Sequence, residues 1–423
     1  MDWKKRRSII ADQLTEKLNL DVRFYGRSVS WISLSHVSGV VRGIATTFLM
    51  ARWLDPVVLG QFRYLLALFG VAGIFSFSGM SSSVIKGISQ GDTIVTKIAI
   101  HRILQFAPLG SFLLIFAAIE RYIHHEPSIG AALLVSAAAF VPYSICSLLG
   151  PILLGNERIK YLSVFSLVNN LAFSIAFVVL LILSKNLIII TAGYFVLDVV
   201  VRGYFTWKEY RSLEMKGSPD PHMKLGHHMT GIGAVQTVAL YINQILLQRF
   251  WGYSTLASFS VATLIPEQIK NATNSLSGVF LQRLSRHERS EKLTKVTQRH
   301  FWIGIAGTVG IIAAYMLAAP IMIPLFFPQY EDAVLPTIVY AIGLIGLPSI
   351  IGLYYYQAHN DIRRLWRFNT WNMVIQLTSS LILVPLYGNW GAIWSRVATR
   401  VTSVPLSYPL LPPQTKEKNE KKT

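Results

Sequence analysis

The sequence predicts an all-α, polytopic membrane protein with about twelve transmembrane helices in two six-helix bundles. Three observations predict it. Apolar stretches of about 20 residues, the length that crosses a bilayer, succeed one another from Val29 to about Leu411 with short loops between them. With 52% hydrophobic and only 14% charged residues over 423 positions, the chain falls outside the soluble globular range. Lysine and arginine, finally, collect on alternate loops, as they do on the cytoplasmic side of a membrane.

Residues 1–28 form the expected cytoplasmic N-terminal segment. Lys4-Lys5-Arg6-Arg7 is followed by a stretch of mixed polarity rather than a compact apolar core, so no cleavable signal peptide is expected. Ile10, Leu14 and Leu18 recur four residues apart, with Asp12, Glu16 and Lys17 elsewhere around the helix. The segment reads as an interfacial helix, or else as a disordered basic tail.

Spans follow at 29–51, 58–79, 98–119, 131–154, 161–183 and 187–206, forming an N-lobe over 29–206. The polar interval 207–228, with Pro219 and Pro221, is the expected cytoplasmic linker. Spans at 229–251, 255–279, 301–326, 333–357, 368–387 and 390–411 form a C-lobe over 229–411, and 412–423 is a basic cytoplasmic tail. Loops on one side carry Lys86 and Lys97, Arg158 and Lys160, the linker cations, Arg283 to Arg299, Arg363, Arg364 and Arg367. Loops on the other hold only Arg52, Arg121 and Lys185, beside the acidic Glu331-Asp332. One span more or fewer would scramble this alternation, so both termini are expected in the cytoplasm, with the chain in the cytoplasmic (inner) membrane.

The two lobes resemble each other. Residues 49–62 (LMARWLDPVVLGQF) align with 246–259 (LLQRFWGYSTLASF), pairing Arg52 with Arg249, Leu59 with Leu256 and Phe62 with Phe259. Gly-Asn-Glu at 155–157 parallels His-Asn-Asp at 359–361. An even number of spans per lobe makes the repeats parallel, an arrangement that in transporters places a substrate site between the halves.

Several chemistries are disfavoured. The net charge of +18 is spread over loops rather than gathered with aromatics in a basic domain, so nucleic acid is not an expected partner. The single cysteine, Cys146, allows neither an intrachain disulfide nor a cysteine metal cluster. The pairs His124-His125 and His227-His228 are adjacent, not spaced as helical metal ligands. There is no P-loop, so ATP hydrolysis is not expected, and the outer loops are too short for a catalytic domain; no metal, cofactor or enzymatic activity is expected.

A charge at the centre of a membrane helix costs about 2.5–3.5 kcal/mol, so each one marks a partner or a wet cavity. Arg42 lies mid-span on one face with Ser35, Ser38 and Thr46, and the first span of the C-lobe carries Gln236, Thr237, Asn243, Gln244, Gln248 and Arg249. Facing each other, these stripes would outline an electropositive cleft. Guanidinium groups stay charged when desolvated and grip phosphate in a bidentate fork, so Arg42, Arg52, Arg63 and Arg249 are the expected ligand contacts, with Gln236, Asn243, Gln244 and Gln248 beside them. Arg52 and Arg249 read equally well as snorkelling to the outer interface. Arg396 and Arg400 line a second groove or snorkel inward. Asp198 and Arg202, one turn apart, form a pair, with Asp198 a further candidate for ion coupling. Glu267, after Pro266 where a kink is expected, reads as a coupling site or as an ion pair with Lys270.

Two segments carry a family resemblance. FLMARWLDPVVLGQFRY (48–64) followed by GMSSSVIKGISQGD (79–92) resembles the opening of polysaccharide-biosynthesis flippases in the multidrug/oligosaccharidyl-lipid/polysaccharide exporter superfamily, and LVPLYGNWGAIW (383–394) is similar to that superfamily's late turn between paired helices. The resemblance implies two bundles in a V, alternating access, and a polyprenyl-pyrophosphate-linked oligosaccharide as cargo, often with proton or sodium coupling. Arg52, Gly60 and the Lys86 loop match the first motif, and Pro385, Tyr387, Gly388, Gly391 and Ala392 the second, all as structural positions. Any extra C-terminal helix pair found in some relatives is not expected.

The function expected is therefore translocation of that lipid-linked repeat unit for cell-surface polysaccharide synthesis, with membrane lipid and a glycan polymerase or glycosyltransferases as the partners implied. The alternatives are an ion-coupled drug/cation antiporter, which would want an acidic cavity; a membrane-embedded glycan polymerase or ligase, which would want a large outer loop; and a non-transporting scaffold or receptor for glycan assembly.

Overall fold

In hydrocarbon every backbone N–H and C=O must be satisfied within the protein, and a helix does this along its own length. The computed structural model describes residues 22–217, 220–284, 291–358 and 361–408, and all regular structure among them is helical. In chain order the helices are α1 (Val22–Trp53), α2 (Pro56–Ala72), α3 (Met80–Ser89), α4 (Ile94–Ile123), α5 (Pro127–Cys146), α6 (Leu149–Gly155), α7 (Ile159–Leu183) and α8 (Leu187–Ser212). They continue with α9 (Asp220–Leu284), α10 (Glu291–Phe326), α11 (Val334–Ile342), α12 (Ser349–Ala358) and α13 (Ile362–Ser407).

This is a multi-pass α-helical membrane protein. Among the described residues seven segments are long and apolar enough to cross a bilayer: Pro56–Ser76, Ile94–Ile123, Pro127–Gly155, Ile159–Leu183, Leu187–Ser212, Leu293–Phe326 and Pro328–Gln357. The other expected spans fall within α1, α9 and α13. These helices carry the polar stripes, and their serines, amides and arginines lower the hydropathy that would mark them. The segment before α1, the tail after Tyr408 and positions 359–360 of the second repeat pair lie outside the described residues.

Local sequence sets the helix ends. Asp55 caps α2, its carboxylate accepting the Val57 N–H at 2.8 Å, with Pro56 in the first turn where no N–H is needed. Asn186 caps α8 in the same way through Ile188 N–H at 2.8 Å. Two long helices turn at glycines in left-handed conformations, α9 at Gly252 (φ 82°) and α13 at Gly388 (φ 57°). These breaks separate the expected spans 229–251 and 255–279, and 368–387 and 390–411. The Trp251 ring lies over Gly388, where a Cβ would meet it at 2.8 Å, and its indole N–H donates to Val384 O at 2.9 Å.

The structure adds detail to other expectations. The backbone stays helical through Pro266, and among the residues of α9 only Gly252 departs. A membrane helix tolerates the missing N–H when neighbouring groups adjust, so Pro266 gives no break. The spans expected at 131–154 and 333–357 fall within two of the crossing segments, Pro127–Gly155 and Pro328–Gln357, each with an internal turn, at Ser147–Leu148 between α5 and α6 and over Gly343–Gly346 between α11 and α12. The segment expected as the linker is mostly helical, because α8 runs to Ser212 and α9 starts at Asp220. Its irregular part is tied down by Thr93, whose hydroxyl accepts the Lys216 N–H at 2.9 Å.

The chain divides into two compact units between Tyr241 and Ile242, inside α9 rather than at 207–228. The first turns of α9 belong to the first unit because glycines admit them closely: Gly70 has no room for a Cβ beside the Tyr241 ring, nor Gly79 beside Thr230. Within the first unit α1 lies along α7, α4 along α5, and α5 along α8, around Phe69, Phe140 and Phe195. In the second, Tyr315, Ala319, Ala341, Leu344 and Leu347 form a core between α10 and α11 with its following turn. The repeat pairs share their environments: Leu59 and Leu256 are fully buried, Phe62 and Phe259 nearly so, and Arg52 and Arg249 both exposed.

Gly388→Ala is expected to lower the stability of the detergent-solubilised protein by about 1–3 kcal/mol, read as a lower thermal midpoint. Gly310→Ala, at a helical position with open space around it, should leave the midpoint unchanged or raise it. Equal midpoints for both variants would refute the turn's dependence on glycine.

Candidate functional site

Polar side chains from α1, α7 and α8 converge inside the first unit. Arg42 of α1 donates from Nη1 to Asp198 Oδ1 of α8 at 2.9 Å, and the same nitrogen lies 3.4 Å from Asn170 Oδ1 of α7. Asn170 donates in turn to Ser38 Oγ at 2.9 Å, which fixes its amide and spans α1 and α7. Arg202, one turn beyond Asp198, approaches the same carboxylate oxygen with Nε at 3.5 Å. The Arg42 guanidinium lies 3.5 Å from the centre of the Phe173 ring, a cation–π contact that holds it without spending a donor.

The group borders a cavity of about 430 Å³ walled by Ser35, Gly39, Tyr143, Ser166, Asn169, Asn170, Tyr194, Asp198 and Arg202, with Arg42 among them. Arg42 and Tyr194 also wall a second chamber of about 240 Å³ that contains Thr46, Thr47 and Arg63. The Arg63 guanidinium donates to the Thr47 hydroxyl there. Charge is unbalanced in the larger cavity: Arg42 and Arg202 face one carboxylate, Asp198, whose side chain is only 2% exposed. The surplus rests on Arg202, whose side chain is 33% exposed, so water still reaches it, and a cavity of net positive charge favours an anion.

The structure thus brings together Arg42, Arg63 and Asp198 from among the expected site residues. It separates the rest. Arg52 is exposed at the end of α1, and Gln236 is exposed on the part of α9 that belongs to the first unit. Asn243, Gln244, Gln248 and Arg249 belong to the second unit. Asn243 corrects the expectation of a cavity-lining amide: it is fully buried, donating to Ala392 O at 3.0 Å and Ser395 Oγ at 2.9 Å. Its amide joins α9 to α13. Gln248 is buried, Gln244 half-buried and Arg249 exposed. Sequence reasoning missed Asn169, Asn170, Tyr143 and Tyr194. Two adjacent amides in the otherwise apolar run 161–183 were a visible signal; the tyrosines carried none.

Glu267 holds the second unit's charged cluster. Its carboxylate accepts from Lys270 Nζ at 2.8 Å, from the Arg400 guanidinium and from the Tyr340 hydroxyl, joining α9, α11 and α13. This is the ion-pair reading of Glu267, extended from α9 to two further helices. Arg400 is thereby turned into the unit rather than toward an interface, its side chain 13% exposed. No group of three metal-ligating side chains occurs among the described residues.

Comparison with known proteins agrees with this architecture. A family model for polysaccharide biosynthesis proteins matches residues 25–281. Among solved structures, the lipid II flippase MurJ in its inward closed conformation is similar with a TM-score of 0.69 at 14% identity, over 89% of this chain and 86% of that one. An outward-facing multidrug resistance MATE transporter of the MOP superfamily is similar with a TM-score of 0.56 at 13% identity, over 91% and 94%. A MOP superfamily transporter from Pyrococcus furiosus, described as having a binding pocket of reversed polarity, is similar with a TM-score of 0.57 at 14% identity, over 91% and 94%. At these identities the likeness is one of fold. Comparison with curated proteins gives no match.

Removing the carboxylate from the second cluster leaves two cations facing each other. Glu267→Gln is therefore expected to destabilise the protein by about 2–3 kcal/mol, and Glu267→Gln with Arg400→Gln to recover part of that loss. Thermal unfolding in detergent checks it; a double variant no better than the single would refute the pairing.

Proposed function

Because the chain belongs to the polysaccharide biosynthesis protein family, we propose that it is a flippase carrying a polyprenyl-pyrophosphate-linked oligosaccharide across the cytoplasmic membrane, with both termini in the cytoplasm. The observation that carries this reading is the surplus positive charge of the 430 Å³ cavity in the first unit. A fold shared with a lipid II flippase supports it.

In this reading Arg42 and Arg202 receive the pyrophosphate. Guanidinium groups do not lose their charge on desolvation, and their paired N–H groups match phosphate oxygens. Asn169, Asn170, Ser35 and Ser166, neutral donors and acceptors on the same wall, suit sugar hydroxyls near the phosphate. The prenyl chain stays in lipid, because burying it in a polar cavity would forfeit about 0.8 kcal/mol per methylene. Exposing the cavity alternately to the two faces moves the head group without breaking a bond. The polymer-forming enzymes that use the product are the expected neighbours in the membrane.

A drug/cation antiporter fits less well. Its cargo would need an accessible carboxylate, and Asp198 already meets two arginines while Glu267 meets Lys270 and Arg400. Glu267 and Asp198 serve here as internal counter-ions before any role in ion coupling.

Arg42→Ala is expected to reduce translocation of a fluorescent polyprenyl-pyrophosphate glycan in reconstituted vesicles by about 10–100-fold, the weight of one or two charge-assisted hydrogen bonds. Arg42→Lys should retain part of the rate, because it keeps the charge and loses the fork. Equal rates for wild type and the alanine variant, at equal incorporation, would contradict the proposal.

A further inference from the structure

Arg42 does not face its cavity as a bare cation. Asp198 Oδ1 lies 2.9 Å from its Nη1 and 3.5 Å from Arg202 Nε, so one carboxylate oxygen is shared by both guanidinium groups. Asp198 is also a wall of the cavity, whose neutral polar groups include Asn169, Asn170, Tyr143 and Tyr194. An anion that reaches Arg42 therefore meets the Asp198 carboxylate on the same guanidinium, at a separation where like charges repel strongly in a low dielectric. Phosphate and Asp198 compete for one donor set.

We propose that Asp198 is an exchangeable counter-ion that selects the charge of the ligand: with the cavity empty it holds Arg42 and Arg202, and a head group of at least two negative charges draws Arg42 away from it onto phosphate, leaving Asp198 on Arg202. The inference rests on the head-group reading of this cavity. Arg202 makes the exchange feasible, because without it the displaced carboxylate would be left buried and unpaired, which is strongly unfavourable. A singly charged phosphodiester brings no more charge than Asp198 and must still be desolvated, so it does not win Arg42. A pyrophosphate does. The surrounding bilayer is full of phosphodiester head groups, and Asp198 keeps them from occupying a site built of arginines. The same competition weakens binding of the true cargo, so that it can leave on the far side.

The test uses the full chain in nanodiscs, with two probes: farnesyl pyrophosphate and a short-chain phosphatidylglycerol. Wild type is expected to bind the pyrophosphate at least tenfold more tightly. In Asp198→Asn both probes should bind more tightly and the phosphodiester should gain more, so that discrimination falls about tenfold; Asp198→Glu should retain it. Should Asp198→Asn fail to fold, Asp198→Asn with Arg202→Gln keeps the cavity's net charge, frees Arg42 and is expected to lose discrimination in the same way. A discrimination ratio unchanged in these variants would overturn the counter-ion role. Arg42→Gln separates the two claims: pyrophosphate binding as tight as wild type in that variant would sink the head-group reading itself, whereas binding that requires Arg42 but ignores Asp198 would sink only this inference.

Discussion

A guanidinium buried in a membrane protein must have its charge answered, and the structure of the first unit follows from how that is done for Arg42. Asp198 answers most of it at 2.9 Å, Phe173 supports the flat face, and Asn170 ties α1 to α7 through Ser38. Arg202 then adds a second positive charge beside the same carboxylate. The result is a polar interior held open among α1, α5, α6, α7 and α8, with charge left over. Packing with hydrocarbon side chains would have been the simpler solution for a bundle in lipid, and the polar cavity left beside Arg42 is what points to a ligand.

The second unit uses the same composition to another end. Glu267 also stands between two cations, Lys270 and Arg400, but the Tyr340 hydroxyl closes on it from α11. That arrangement ties α9, α11 and α13 together through one carboxylate. Asn243 and Ser395 do the same with neutral groups elsewhere along α9 and α13. Buried polar residues in membrane helices thus serve two purposes in one chain, and only their surroundings tell which.

Much of the architecture was legible in the sequence because its signals are local. Asp55-Pro56 announces a capped helix, and the glycine of LVPLYGNWGA announces the turn at Gly388. The repeat offset linked Leu59 with Leu256, and both are fully buried. Arg42 stood out as a lone cation in an apolar run. Its partner was hidden, since Asp198 is 156 residues away, whereas Arg202, one turn from Asp198, could be paired by spacing alone. The break between α5 and α6 was invisible, because an apolar run has the same composition whether it is continuous or divided. At Pro266 the proline marks a lost donor, yet the backbone keeps helical dihedrals through it, because neighbouring groups can make good that loss.

The most direct measurement is a density map of the full chain in nanodiscs with bound polyprenyl pyrophosphate. Phosphate density is expected inside the first unit, within hydrogen-bonding distance of both Arg42 and Arg202. Phosphate density found only elsewhere, with the Arg42–Asp198 contact intact and the cavity holding nothing but solvent, would contradict that expectation.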